Sequence, residues 1–380
     1  MKEKLVAAEV PLPGEYIKME LEERGWTQTD LAEILGRAAQ TVSDIINGKR
    51  GITPETATEL AAAFGTTAEV WMNLQTSFDL WQLSRQSRVD DVSRRARLYE
   101  IAPVSHMVKR GWIEGSDSVE VLEQQVLGFL EIDRLDEKPR PLRHAARKST
   151  PYVKELSPAL QAWLFRAKHL AAEVMVREPF SETSLANALE KLKSLRHHPE
   201  DLVNVPHVLA EGGIRFIVVE PLPQTKVDGA CFWLDKESPA IVLSLRYDRI
   251  DWFWHTLMHE LAHIVNHDGD VWDDLLGETG EKRPQIEDKA DRFAANYLVP
   301  KDEMECFIAE VRPFYSKQRM RALGEQLGVH PGIVVGQLQH RREIGWNHSR
   351  ELLVRVRSLV TESAPTDGWG HVVSPGFGPE

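Results

Sequence analysis

Residues 254–267 read WHTLMHELAHIVNH, and within them His259, Glu260 and His263 form an HExxH pattern in a helix-length apolar segment. An α-helix advances about 1.5 Å and about 100° per residue, so residues four apart lie one turn apart on one face. His259 and His263 can therefore share one tetrahedral ion, with Glu260 beside them. A carboxylate there can take the proton of a water whose pKa zinc lowers to about 7. Leu257, Met258, Leu261, Ala262, Ile264 and Val265 frame the motif as a buried helix would require.

A catalytic zinc site takes three protein ligands and keeps one position open. His267 extends the i+4 series, but three turns of helix spread the stripe too far for one ion. The metzincin pattern would place a histidine at 269, where the chain has Gly269. The third source is IEDKADRFAANYLVP, 286–300, whose Glu287 and Asp291 stand four apart on a second helix and begin 24 residues beyond His263. This is the thermolysin-like order, ExxxD after HExxH, in which the Glu completes the ligand set and the Asp accepts the free ring N–H of a ligand His. Glu287 is preferred to Asp288, which points about 100° away on a helix that also buries Ala290, Phe293, Ala294 and Leu298. Zinc is the expected ion, although such ligands also accept manganese. His255 and His267 read as neighbours or surface groups, and His330, His340 and His348 give no metal spacing.

Upstream, after Gly212-Gly213, the texture is β: IRFIVVEPL, GACFWLD and AIVLSLR are short and rich in Val, Ile and aromatics, so a small sheet precedes the HExxH helix. The strand IVLSLR is expected to be either simply buried or an edge that pairs with an extended peptide. Residues 84–200 read as a helical connector, with KPRPLRHAARKS, 138–149, as an exposed loop and Ser157-Pro158 opening a helix. The tail from Ala364 onward is turn-rich and expected to be poorly ordered.

The other constellation is QTDLAEILGRAAQTVSDIIN, 28–47. Ala32 is small where two helices touch, Gly36 sits at the turn, and Val42 and Ile45 fall on the buried face, which is the helix-turn-helix pattern. The second helix, about 39–47, then turns Gln40, Thr41, Ser43, Asp44 and Asn47 toward a major groove, with Gln28 near a phosphate and Lys49 and Arg50 adding backbone charge. Residues 1–85 carry 8 basic and 13 acidic residues, within a net charge of −12 for the 380-residue chain. Many of the acids lie on the first helix, in EYIKMELEE, away from the groove-facing helix. Non-specific DNA affinity is expected to be weak, leaving binding to base contacts and dimerisation. A later stretch, RMRALGEQLGVHPGIVVGQLQHRREI, also resembles a small helix-turn-helix, and a structural role is expected for it.

Only two cysteines occur, Cys231 and Cys306, outside any CxxC pair, which points to a reducing compartment. The N-terminus lacks the apolar core of a signal peptide and no stretch has the length of a membrane span, so a cytoplasmic location is expected.

DGACFW, IVLSLR, FWHTLMHELAHIVNH and IEDKADRFAANYLVP together resemble the ImmA/IrrE family of zinc metallopeptidases over about residues 205–310. The resemblance implies a gluzincin-like endopeptidase that cuts or otherwise inactivates a regulatory protein, with zinc on His259, His263 and Glu287 and with Glu260 as general base. Lys289 departs from the acidic residue that many members carry. An oxyanion stabiliser is expected, with Tyr297, His255 and Arg246 as unranked candidates. Residues 13–81 resemble the HigA-type antitoxins of the Cro/C1 repressor class, which implies dimeric operator binding and, in some members, a toxin partner.

The expected fold is α+β, mostly α. A helix-turn-helix DNA-binding domain spans 13–83, a helical connector 84–200, a zinc metallopeptidase domain with a small sheet 201–310, a C-terminal helical segment 311–363 and a tail 364–380. The expected function is a homodimeric DNA-binding regulator that cleaves a partner protein, a repressor or a toxin–antitoxin component. The alternative is a HigA-like antitoxin whose zinc domain senses a signal or binds a toxin without turnover.

Overall fold

The computed structural model describes residues 10–84, 87–137, 139, 144–148, 156–176, 178–267 and 282–371. Its chain divides into two units, Met1–Ala96 and Arg97–Glu380. The first is helical: α1 (Pro13–Arg24), α2 (Gln28–Leu35), α3 (Ala39–Ile46), α4 (Pro54–Phe64) and α5 (Ala68–Ser84). Thr27 and Asp30 form a capping box at the start of α2, each satisfying a backbone N–H of the other's end. Thr53 caps α4 ahead of Pro54. The apolar faces these signals delimit meet in one core built on Ile17, Leu31, Ile46, Leu60 and Trp71.

The second unit is organised by a five-stranded sheet. After α6 (Ser87–Ile101), which crosses the division, come α7 (Val104–Lys109), α8 (Val119–Leu130), β1 (His144–Lys148), α9 (Pro158–Glu173), α10 (Glu182–Ser194), a 3-10 turn and α11 (Val205–Glu211). Then follow β2 (Arg215–Val219), β3 (Val227–Trp233), β4 (Pro239–Leu243), α12 (Ile250–Val265), α13 (Lys282–Leu298), α14 (Lys301–Val311), α15 (Lys317–Leu327), α16 (Pro331–His340), α17 (Arg357–Ser363) and β5 (Thr366–Asp367). The strand order is β1-β3-β4-β2-β5, with β1/β3 and β3/β4 antiparallel and β2 parallel to both β4 and β5.

Both faces of the sheet are covered, which is why β2 and β4 read as continuous rather than alternating hydrophobic runs. Phe216, Val218, Cys231, Ile241 and Leu243 pack with α12, α13 and α16 in one core. Ile217, Val219, Ala230, Phe232 and Val242 pack on the opposite face against Leu98, Met107, Val126, Trp163 and Phe165. The segment read from sequence as a connector thus supplies the sheet's second helical layer.

One open alternative is settled and two local expectations are corrected. The strand of IVLSLR is interior, paired with β3 on one side and β2 on the other, so it offers no free edge. Part of the expected exposed loop, His144–Lys148, is instead the sheet's terminal strand. The tail is ordered through its first residues: Val218 and Val219 of β2 pair with Thr366 and Asp367, and Arg110, Trp112 and Arg166 bond the buried Asp367 carboxylate at 2.9, 2.8 and 2.5 Å. Residues 372–380 of that expectation lie outside the described residues.

Candidate metal centre and candidate nucleic-acid interface

α12 is buried nearly all round, because it packs on β3, β4, α13 and α16 at once. Its entry is held by Arg249, whose guanidinium donates twice to Asp251 at 3.0 and 2.7 Å and once to Gln339 at 3.0 Å. Burial pushes the Asp251 carboxyl above its ordinary pKa, and the Arg249 bonds oppose that shift.

Halfway along α12, His259 and His263 lie fully buried one turn apart, their Nε2 atoms separated by 3.1 Å. α13 runs alongside and brings Glu287 Oε2 to 3.1 Å from His259 Nε2. One ligand atom from each of His259, His263 and Glu287 lies within 4.8 Å of the others, and among the described residues these three form the one such group. Zinc–ligand bonds of about 2.0–2.1 Å at tetrahedral angles separate the ligand atoms by about 3.3 Å, so the donor types and the two 3.1 Å separations at His259 Nε2 suit that ion. Asp291, one turn beyond Glu287, places Oδ1 2.9 Å from His259 Nδ1. A carboxylate accepting at Nδ1 fixes the tautomer whose Nε2 carries the lone pair that a metal ion would take.

Glu260 is fully buried on the side of α12 that meets the sheet. A Cβ added at Gly229 of β3 would lie 3.1 Å from Glu260 Oε1 and 2.9 Å from Thr256 Cγ2, so the strand has no room for a side chain there. The sequence reading passed over Gly229, although a glycine inside a strand signals a close approach.

The three oxyanion candidates part company. The Tyr297 hydroxyl donates to the Leu189 carbonyl and burial raises its pKa, so it is committed to that bond rather than to the candidate metal ligands. Arg246 pairs with Asp228 at 3.0 Å. His255 lies one turn before His259, its ring centroid 6.1 Å from that of His340. His267 is not in the ligand group and sits 3.6 Å from Glu182.

In the first unit, α2 and α3 meet around buried Ala32, Val42 and Ile45, and Gly36 turns the chain at φ 62°. Gln28, Gln40, Asn47, Lys49 and Arg50 are exposed, and Thr41, Ser43 and Asp44 are half-buried on α3. The α3 side chains are held in place along the helix: Gln40 Nε2 donates to Asp44 Oδ1 at 2.8 Å, and Asn47 Nδ2 donates to the Ser43 carbonyl at 2.8 Å. Arg37, in the turn, is taken up by Glu59 at 2.6 Å, which raises its pKa.

Fold and site thus define a helix-turn-helix protein whose second unit brings together a His/Glu cluster that could hold a metal ion. Residues 17–71 match the helix-turn-helix family, and residues 213–339 match the IrrE N-terminal-like domain of a peptidase family. An uncharacterized HTH-type transcriptional regulator of Haemophilus influenzae is 45% identical over 76 residues, 20% of this chain and 71% of the relative. Antitoxin HigA-1 of Vibrio cholerae is 48% identical over 69 residues, 18% of this chain and 65% of the relative. Among solved structures, a HigA-family addiction module antidote protein from Coxiella burnetii shares 36% identity with a TM-score of 0.21, covering 22% of this chain and 90% of that one. Pseudomonas aeruginosa antitoxin HigA, solved with the higBA promoter, shares 34% identity with a TM-score of 0.21 over 22% of this chain and 90% of that one. The chain belongs to the HTH-type regulator family through its first unit, and its second unit carries an IrrE-like peptidase-family domain. No helix among the described residues is long and apolar enough to cross a membrane.

Proposed function

We propose that this chain is a cytoplasmic, homodimeric operator-binding regulator whose second unit is a zinc endopeptidase acting on a regulatory protein partner. The observation that carries the reading is the convergence of His259, His263 and Glu287 next to the buried Glu260. Zinc, when bound, supplies Lewis acidity toward a carbonyl and a water. Asp291 holds His259 in the ligating tautomer. Glu260 accepts the proton of the attacking water at its carboxylate and returns it to the leaving amine, while the apolar wall of α12 excludes bulk solvent. In the first unit, Gln40, Thr41, Ser43, Asp44 and Asn47 read base edges, and Gln28 and Lys49 reach phosphates. The likeness of the first unit to an antitoxin motivates a second reading, a HigA-like repressor whose zinc domain senses a signal or binds a toxin without turnover.

Glu260→Gln separates the two. It is expected to retain zinc and DNA binding, measured by metal analysis and gel shift, while a co-expressed partner cut by the wild type stays intact. Equal partner stability with both proteins at equal zinc loading would overturn the peptidase reading in favour of the binding module.

A further inference from the structure

β3 is the strand against which Glu260 packs, and Gly229 is its point of closest approach. One edge of β3 belongs to β4. The other is taken by His144–Lys148, antiparallel, with His144 opposite Phe232, Ala145 opposite Cys231, Ala146 opposite Ala230 and Arg147 opposite Gly229. The register then shifts, so that Lys148 stands opposite Val227 and Asp228 is passed over. Such irregularities gather beside active sites, where they re-aim the chain. β1 is the terminal strand of the sheet and also packs against α12. Paired strands lie about 4.8 Å apart, so the main chain at Arg147 runs one strand spacing from Gly229, beside the helix that carries the metal ligands. An extended peptide recognised by strand addition would take this same position.

The composition of β1 sets it apart from the rest of the sheet. HAARK holds no Val, Ile, Thr, Phe, Tyr or Trp, whereas β2 is RFIVV and β4 is PAIVL. Ala and Lys are depleted in strands, so little intrinsic preference holds β1 in place and its pairing is open to competition.

We propose that His144–Lys148 is an internal stand-in for substrate: it occupies the edge of β3 at which an extended peptide is presented to Glu260, and a partner is cut only by displacing it. The inference rests on the peptidase reading and sharpens it. The substrate class it implies is an extended segment with small residues opposite Cys231 and Ala230 and a basic residue opposite Gly229.

The test uses the full zinc-loaded chain bearing Glu260→Gln and a fluorescein-labelled peptide copying residues 142–149, LRHAARKS. Adding Ala146→Pro forces the φ of β1 away from strand values and frees the edge. A tethered competitor acts at an effective concentration in the millimolar range, so its removal is expected to tighten peptide binding by about tenfold or more. Amide exchange should show β2 and β4 still protected. Should the proline variant fail to fold, the double variant Ala145→Gly, Ala146→Gly is expected to move affinity the same way by roughly threefold. Unchanged affinity in a folded variant overturns the proposal. Binding needs no turnover, so the two readings fail separately. Tighter binding without partner cleavage by the Glu260-bearing Ala146→Pro chain leaves the strand assignment standing and removes the peptidase. Partner cleavage at equal rates with and without Ala146→Pro removes the strand assignment alone.

Discussion

The chain builds two helical hairpins on the same turn and uses them in opposite ways. α2 and α3 are joined through Gly36 at φ 62°, and α15 and α16 through Gly328 at φ 61°. Each first helix opens on a hydroxyl cap, Thr27 or Ser316. In the first hairpin the second helix buries only Val42, Ile45 and Ile46 and leaves Gln40 and Asn47 in solvent. In the second, α16 buries Ile333, Val334, Val335, Gln337, Leu338 and Gln339 against α12 and its neighbours. Turn chemistry makes a hairpin, and the surroundings of its second helix decide whether that helix can read a ligand or must serve as core.

Val335→Asp breaks this contrast most severely. A carboxylate would be buried without a partner, and the second unit is expected to lose roughly 3 kcal/mol or more, seen in calorimetry while the melting of the first unit persists. An unchanged second transition would mean that α16 is not the core helix described here.

On the exposed side, Gln40→Ala and Asn47→Ala should each weaken binding to an operator selected from a random duplex pool by roughly 1–3 kcal/mol. Neither should shift melting by more than about 0.5 kcal/mol. His340→Ala, at the exposed end of α16, should leave DNA affinity unchanged. A loss there equal to that at Asn47 would undo the distinction between the hairpins.

The shared turn itself predicts equality. Nothing lies within 4 Å of a Cβ built on Gly36 or Gly328, so alanine at either place costs only the left-handed backbone, about 1–2 kcal/mol. Chemical denaturation of each unit measures both. Costs that differ severalfold would show that the turns are not equivalent.

A further effect is expected on pH. His330 caps α16 by accepting from the Gly332 N–H through Nδ1, whereas Ala38 gives α3 no side-chain cap. Burial, and then the charge of His197, hold His330 down at about 4 against an ordinary 6.5. The unfolded chain therefore takes up a proton between those values that the folded chain refuses. Stability of the second unit is present in full above about 6.5 and is lost progressively as pH falls toward about 4. Melting at pH 7 and pH 5 should show this drop in the second unit, and His330→Asn, which keeps a capping oxygen, should diminish it.

Much of the site was legible because its signals are local. His259 and His263 share a face by helical arithmetic alone, and Glu287 and Asp291 repeat that spacing on the next helix. The first hairpin declared itself through Ala32, Gly36, Val42 and Ile45. Legibility failed where partners are remote. Nothing in AIVLSLR distinguishes an interior strand from an edge, since both bury the same residues, and only pairing with β2 and β3 settled it. HAARK carries no strand preference, so β1 exists through its partner β3. Arg166 and Asp367 are 201 residues apart, and no window along the chain contains both.

The sequence by itself determined which segments are helical, where they begin and turn, and which side chains share the spacing of a candidate ion site, because capping, periodicity and i,i+4 spacing act over a few residues. Tertiary structure decided which strand holds the edge, which hairpin is buried and which polar groups are already committed, because those outcomes depend on pairing and burial between residues that local chemistry never brings together.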